Sequence, residues 1–562
     1  MRTLLQPLLL ASCALVAACT HAIATPPPPL SAAGSAAVAT PDAFSAEVAT
    51  SVLKAGGNAV DAAVAVAFSL TVTYPEAGNI GGGGFMLVSM GGQASFLDYR
   101  ETAPAAATRD MYVDERGNVV EAASLNGHRA VGVPGTVAGM WEAHRRYGRL
   151  EWKDLLTPAI DLAEHGFLAP AQLEERVREE LPRLAGVAGF AKYFGGLRGG
   201  EVFRQPELAA SLRRIRDLGP AGFYDGKTAA LLVEEMHRGG GLVSAEDLAG
   251  YRAIWREPLR VSWRGYEFLS APPPSSGGIA VAQLLRMKDR LAADFRGLPH
   301  NSPQYVHLTA EMEKRVFADR AQYLGDPAFH EVPVARLLAE DYLATRADSV
   351  DRQHISRLES VRPGLESVHT THYSIVDGWG NAVANTYTLN TSFGSGVVVD
   401  GAGFLLNNEM DDFSLKPGTP NYYGVVGSTA NEIQPGKRML SSMSPTILLE
   451  GGRVRMVLGS PGGSTIITSV YQTIVNVLDF GMPAAAAVGA ARFHHQLLPP
   501  DLVTFGPARP LPASTVEALA QRGYRAEPHG WELGDVQLIL WQGDGWQAAS
   551  DPRGRGESRV LN

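Results

Sequence analysis

The texture of this chain changes near residue 370. Ahead of that point the apolar residues recur at helical spacing over 44–55, 58–70, 136–147, 151–165, 206–217, 223–238, 277–293 and 302–324, with short strands at 258–262 and 265–270. Beyond it, strand-like runs dominate at 371–376, 382–388, 403–407, 443–449, 454–459, 535–541 and 545–549, around one helix near 464–480. Helix and strand must therefore share a core, which predicts a mixed α and β fold. No repeat of 20–50 residues is visible, so a solenoid is excluded. One early segment joins the two textures. Two Ala/Val-rich helical stretches, broken at Gly56-Gly57 with Asn58 as a candidate cap, enter the glycine run 81–84 and then strands at 85–89 and 94–99, a hairpin ending at Arg100.

Composition narrows the function classes. At 562 residues, 45% hydrophobic and 19% charged, with a mean hydropathy of -0.04, the chain can bury a large core and is neither disordered nor polytopic. Its net charge of -9, without a basic block, gives nucleic acid no electrostatic footing.

The N-terminus reads as an address. Arg2 is the only charge ahead of a run from Leu8 to Ala18 that is apolar but for Ser12 and Cys13, far short of the ~20 residues that span a bilayer. Two cleavage readings stand: Ala22-Ile23-Ala24 as an A-x-A site, and Val16-Ala17-Ala18-Cys19 as a lipobox in which Cys19 is lipidated. The expected organisation is a signal peptide over 1–24, a flexible linker over 25–40, a segment 41–369 and a segment 370–562, in an exported protein that is periplasmic or lipid-anchored in the cell envelope. Cys13 is lost on either reading, so at most one cysteine remains and no intramolecular disulfide can form. The only expected link to a membrane is a lipid on Cys19.

The common catalytic signatures are absent: no G-x-S-x-G, H-E-x-x-H, G-x-x-x-x-G-K-[ST], or G-x-G-x-x-G after a clear strand. The turn Gly459-Ser460-Pro461-Gly462-Gly463-Ser464, between a strand and a helix, can be a tight turn or a nest of backbone N–H groups for an anion; it lacks the lysine of a P-loop. His494 and His495 are sequence neighbours whose side chains diverge, so no metal and no cofactor are expected. Thr370, at the head of a strand, is by itself an ordinary strand residue. If the bond between His369 and Thr370 were cut, however, Thr370 would carry a hydroxyl and an α-amine of reference pKa about 7.7–8.0, a nucleophile with its own base.

Taken together, T-T-H-Y-S, T-Y-T-L-N-T-S-F-G, N-N-E-M-D-D-F, L-S-S-M-S-P-T, G-S-P-G-G-S, A-P-P-P-S-S-G-G and A-G-N-I-G-G-G-G-F-M resemble the γ-glutamyltranspeptidase family of N-terminal-nucleophile hydrolases, from about residue 40 to about 553. The resemblance implies a four-layer αββα sandwich and autocatalytic cleavage of a zymogen between His369 and Thr370 into two fragments that stay together as a heterodimer. It implies Thr370 as nucleophile, Thr388 as the residue orienting it, and Gly462 and Gly463 as oxyanion-hole amides. Arg100, with Ser441 and Ser442, would take the donor's α-carboxylate, and Asn390, Glu409 and Asp412 its α-ammonium. A planar fork suits a carboxylate and acidic groups suit an ammonium. Residues 417–428 resemble a lid, with Tyr423 as its gate.

The implied activity is cleavage of the γ-glutamyl amide of glutathione and related compounds, the acyl group passing to water, amino acids or peptides. Two other readings are a cephalosporin or glutaryl acylase of the same fold, which has less need of an ammonium site, and an unprocessed, non-catalytic envelope binding protein.

Overall fold

Alternating side chains along the strands sort this molecule into layers. In the first strand, Ala37 and Ala39 enter one core and Val38 the other; Phe85 and Leu87 part in the same way from Met86 and Val88. A sheet with apolar residues on both faces must be covered on both, and here it is. The structure, a computed structural model, describes residues 35–187, 189–356, 370–422 and 424–561. The expected signal peptide, Cys19, most of the linker, His369 and Tyr423 lie outside the described residues.

Two antiparallel sheets form the centre. The first runs in the order Glu557–Leu561, Ala36–Thr40, Thr370–Val376, Ala382–Thr388, Gly83–Met90, Gln93–Tyr99, Ile254–Arg256. The second runs Gly545–Ser550, Gln537–Gln542, Arg453–Gly459, Thr446–Glu450, Tyr266–Ser270, Leu259–Trp263. Both faces of the second sheet enter one core, which takes in the facing side of the first sheet on one face and the helices Gly277–Arg290, Pro303–Tyr323 and Thr465–Leu478 on the other. The outer side of the first sheet packs on Ala43–Lys54, Ala59–Thr73, Thr136–Tyr147 and Trp152–His165. The result is the four-layer αββα sandwich of the N-terminal-nucleophile hydrolases.

Local chemistry explains the elements that place the site. Ala59–Thr73 is buried along its whole length, which its small residues permit, and Asn58 caps it, accepting from Val60 N at 2.9 Å and Asp61 N at 3.0 Å. Two expectations fail. The flexible linker was expected to run to residue 40, yet Ala36–Thr40 is a buried strand between Glu557–Leu561 and Thr370–Val376. Its alanines carry little strand propensity, and the slot between two waiting ladders overrides that weakness. No strand forms over 403–407. Val398 and Leu405 make one isolated bridge, and the apolar run Phe404, Leu405, Leu406 fills the outer core from an irregular loop, which its periodicity cannot distinguish from a strand. Among the described residues no helix is long and apolar enough to cross a membrane.

Candidate active site

Register sets the first pair. Thr370 opens its strand, Thr388 closes the antiparallel neighbour, and the ladder places them opposite one another. The Thr370 hydroxyl donates to Thr388 Oγ1 at 3.3 Å, and Thr388 Oγ1 also accepts from Asn390 N at 2.7 Å. The glycine run makes this corner possible. A Cβ on Gly82 would lie 2.2 Å from Thr388 O, and one on Gly84 2.5 Å from Thr386 O, so any side chain there would push the Thr388 strand away.

The strand Arg453–Gly459 then delivers the turn at 460–464. Gly462 and Gly463 have φ of +139° and +52°, and Gly462 O accepts from Thr465 N at 2.9 Å and Thr465 Oγ1 at 2.8 Å. This tight turn starts the helix Thr465–Leu478, so Gly463 enters the cleft at a helix N-terminus, where the backbone dipole favours negative charge. Gly462 is the residue before it in the same turn.

A buried charge cluster faces the pair of threonines. Arg100 follows the strand Gln93–Tyr99, with its amide donating to Asp98 Oδ1 at 3.0 Å and its carbonyl accepting from the Tyr251 hydroxyl at 2.8 Å. Its side chain is 1% exposed, lies 2.7 Å from Glu409, and is ion-paired with Asp412. Burial alone would lower the pKa of this guanidinium; Glu409, Asp412 and Glu101 more than reverse that. Burial pushes the Glu409 and Asp412 carboxyls up, and the Arg100 charge opposes this in each case. Glu101, 3.7 Å from Arg100 and fully buried, is pushed up to about 8 by burial.

Thr370, Thr388, Arg100, Asn390, Glu409, Asp412, Ser441, Ser442 and Gly463 line one cleft. The Asn390 side-chain amide donates to Asn408 O at 3.0 Å, bracing the segment that carries Glu409, so any hold on an ammonium would come from its carbonyl oxygen. Ser441 and Ser442 stand against the A-P-P-P-S-S-G-G turn, where Ser441 N donates to Pro274 O at 2.9 Å. Arg320, Asn421, Val425, Met443, Ser464 and Ile466 complete the wall and were not foreseen. Arg320 sits in the buried helix Pro303–Tyr323, and only the fold turns it toward the cleft. Asn421 and Val425 belong to 417–428, which folds back on itself through Gly418 N to Gly427 O at 3.0 Å and Asn421 N to Val425 O at 3.2 Å. Asp411 anchors that loop, accepting from Tyr422 N at 2.9 Å and from Ser124 Oγ at 2.6 Å.

His372, two residues after Thr370 in sequence, is not on the cleft. It is completely buried, Nδ1 is 2.8 Å from Thr386 Oγ1, Nε2 is 3.1 Å from Ser374 Oγ, and burial holds its pKa down to about 3. It stays neutral at any working pH. His494 is also buried, against Thr468 at 3.0 Å, and among the described residues no group of three or more His, Cys, Asp or Glu is arranged to hold a metal ion.

A threonine heading a central strand of an antiparallel αββα sandwich, opposite a second threonine and beside a glycine turn, defines an N-terminal-nucleophile hydrolase. Residues 45–561 match the family model Gamma-glutamyltranspeptidase. Over 526 residues the chain is 57% identical to a glutathione hydrolase proenzyme of Pseudomonas aeruginosa, covering 93% of this chain and 94% of that relative. A solved γ-glutamyltranspeptidase from Pseudomonas nitroreducens, in complex with L-DON, is 55% identical at a TM-score of 0.57, covering 60% of this chain and 100% of that one. A cephalosporin acylase from Bacillus halodurans superposes with a TM-score of 0.81 at 27% identity, covering 96% and 99%. This chain belongs to the γ-glutamyltranspeptidase family.

Proposed function

We propose that the chain is an autoprocessing γ-glutamyltransferase and hydrolase acting on glutathione and related γ-glutamyl amides. In maturation Thr370 Oγ attacks the carbonyl of His369, the amide nitrogen leaves as the α-amine of Thr370, and water opens the resulting ester. In turnover Thr370 Oγ attacks the γ-carbonyl, and its proton passes to the α-amine. The oxyanion develops against the N–H groups of Gly462 and Gly463, each worth roughly 3–4 kcal/mol in comparable sites. Collapse expels the amine of the leaving group with that proton and leaves a γ-glutamyl ester, which water or the amine of an amino acid or peptide resolves.

The observation that carries this reading is Arg100 ringed by Glu409 and Asp412 beside Thr370. A zwitterionic head satisfies that ring: its carboxylate, with Ser441 and Ser442, takes the guanidinium, and its ammonium takes the freed carboxylates and the Asn390 carbonyl. A glutaryl group has no ammonium, so it would strand Glu409 and Asp412 as unpaired buried charges, a cost of several kcal/mol. That weighs against the acylase reading despite the shared fold. The loop 417–428 acts as a lid, with Tyr423 as its gate, and restricts donors to small tails.

The wider setting is proposed from the sequence. The leader over 1–24 exports the chain to the periplasm, or Cys19 anchors it by a lipid, and the fragments divided at His369 and Thr370 work as a heterodimer.

Thr370→Ala tests the core of the proposal. Expected is a single uncut chain with no release of nitroaniline from γ-glutamyl 4-nitroanilide, while the wild type runs as two bands on a denaturing gel. Two bands from the variant, or a wild type that prefers glutaryl to γ-glutamyl anilides, would overturn it. Intact mass of both wild-type fragments reads the cut site, the mature N-terminus and any lipid together.

A further inference from the structure

The A-P-P-P-S-S-G-G turn has so far only a packing role, and Arg320 none. The two meet at the cleft wall. Arg320, on the helix Pro303–Tyr323, is 7% exposed, and its guanidinium spans two serines: Nε donates to Ser276 Oγ at 3.1 Å and Nη2 to Ser442 Oγ at 3.2 Å. Ser276 passes its own proton to Ser441 O at 2.7 Å, and its backbone N–H meets the same oxygen at 2.8 Å. Arg320 therefore clamps the turn to the Ser441-Ser442 segment, and the carbonyls just ahead of that segment, Met439 O and Leu440 O, accept from the Arg100 guanidinium at 3.4 and 3.5 Å.

A hydroxyl carries one proton. Ser276 spends its proton within the protein, whereas Ser442 is on the cleft wall and accepts from a cation, so the Ser442 proton is directed away from Arg320 and made more acidic by it. We propose that Arg320 is a positioning residue for the donor's α-carboxylate: it fixes Ser442 as a hydrogen-bond donor toward that carboxylate. Its influence on that carboxylate runs through Ser442. The inference rests on the γ-glutamyl reading and gives its carboxylate subsite a second half, built from the helix Pro303–Tyr323 and the 271–278 turn.

The experiment compares two donors, γ-glutamyl 4-nitroanilide and the same anilide with its α-carboxylate converted to a carboxamide, in processed enzyme. Arg320→Gln is expected to lose about 10- to 100-fold in kcat/KM on the carboxylate donor, mostly through KM, and less than about threefold on the carboxamide. In a Ser442→Ala background the same change should cost less than about threefold on either donor, because its route to the substrate is already gone. Equal losses on both donors, or full additivity with Ser442→Ala, would reduce Arg320 to a structural brace and overturn the proposal; so would an unchanged kcat/KM.

If Arg320→Gln does not accumulate as two fragments, Ser276→Ala decides. It frees one end of the guanidinium without removing a charge, and should lose about three- to tenfold on the carboxylate donor alone; no selective loss overturns the proposal. A wild type inactive on the γ-glutamyl anilide would instead sink the parent reading, a result distinct from any of these.

Discussion

Arg100 could not be buried alone. Moving one guanidinium out of water costs several kcal/mol, and the cost is met here by Glu409 at 2.7 Å and by Asp412, each reached by a different nitrogen of the fork. Lysine offers one compact charge and cannot address both carboxylates in that geometry. Arg100→Lys should therefore lower kcat/KM for γ-glutamyl anilides by roughly 2–5 kcal/mol, a loss of thirtyfold or more, while both fragments still form. An unchanged kcat/KM would remove Arg100 from the site. A second residue-scale prediction concerns the base. His372 is held neutral by burial, with a pKa near 3, so the acidic limb of the kcat–pH profile must come from elsewhere. The α-amine of Thr370 has a reference pKa of about 7.7–8.0, and the nearby Arg100 and the desolvated corner both disfavour its charged form, placing the limb below that reference. Processed His372→Gln should keep the limb; its disappearance would make His372 the base.

The loop 417–428 and its anchor set the behaviour at the scale of elements. Burial pushes Asp411 up to about 7, against the pull of its bonds from Ser124 and Tyr422. Its unfolded value is about 3.9, so between those two values the unfolded chain has released a proton that the folded chain still holds. Stability is therefore highest below the lower value and falls as pH rises through the window, at a slope approaching about 1.4 kcal/mol per pH unit for this one group. Asp411→Asn removes that term, so its stability in urea should fall less steeply than the wild type's between pH 4 and 7 and run parallel to it above; parallel curves throughout would refute the assignment. Much at this scale was legible in the sequence. The hairpin ending at Arg100, the strands carrying Thr370 and Thr388, and the turn before the helix at 465 each have a local signature in period, glycine or cap. What escaped was non-local. Ala36–Thr40 is a strand only because two ladders flank it, and Arg320 and Glu101 look like surface charges until the layers close over them. Residues 403–407 misled because a buried apolar run fits a strand and a core-filling loop equally well.

The whole molecule is built across the proposed cut. In the first sheet Thr370–Val376 and Ala382–Thr388 lie between Ala36–Thr40 and Gly83–Met90, and in the second Thr446–Glu450 pairs with Tyr266–Ser270. Neither side of the cut owns a complete sheet. The two fragments should accordingly elute together from a sizing column in native buffer and separate only in denaturant; separate elution in native buffer would contradict the shared-sheet architecture. Before the cut, loss of structure is a one-chain event whose midpoint is independent of concentration. After it, the same event releases two molecules, and the midpoint rises with protein concentration. Each half then re-forms its sheets only by finding a partner, with the other half's strands no longer supplied at the high effective concentration of a continuous chain. On the proposed cut, the strand order sets the order of events: assembly comes first and scission second, so that a two-fragment enzyme would rely on slow unfolding rather than on ease of return.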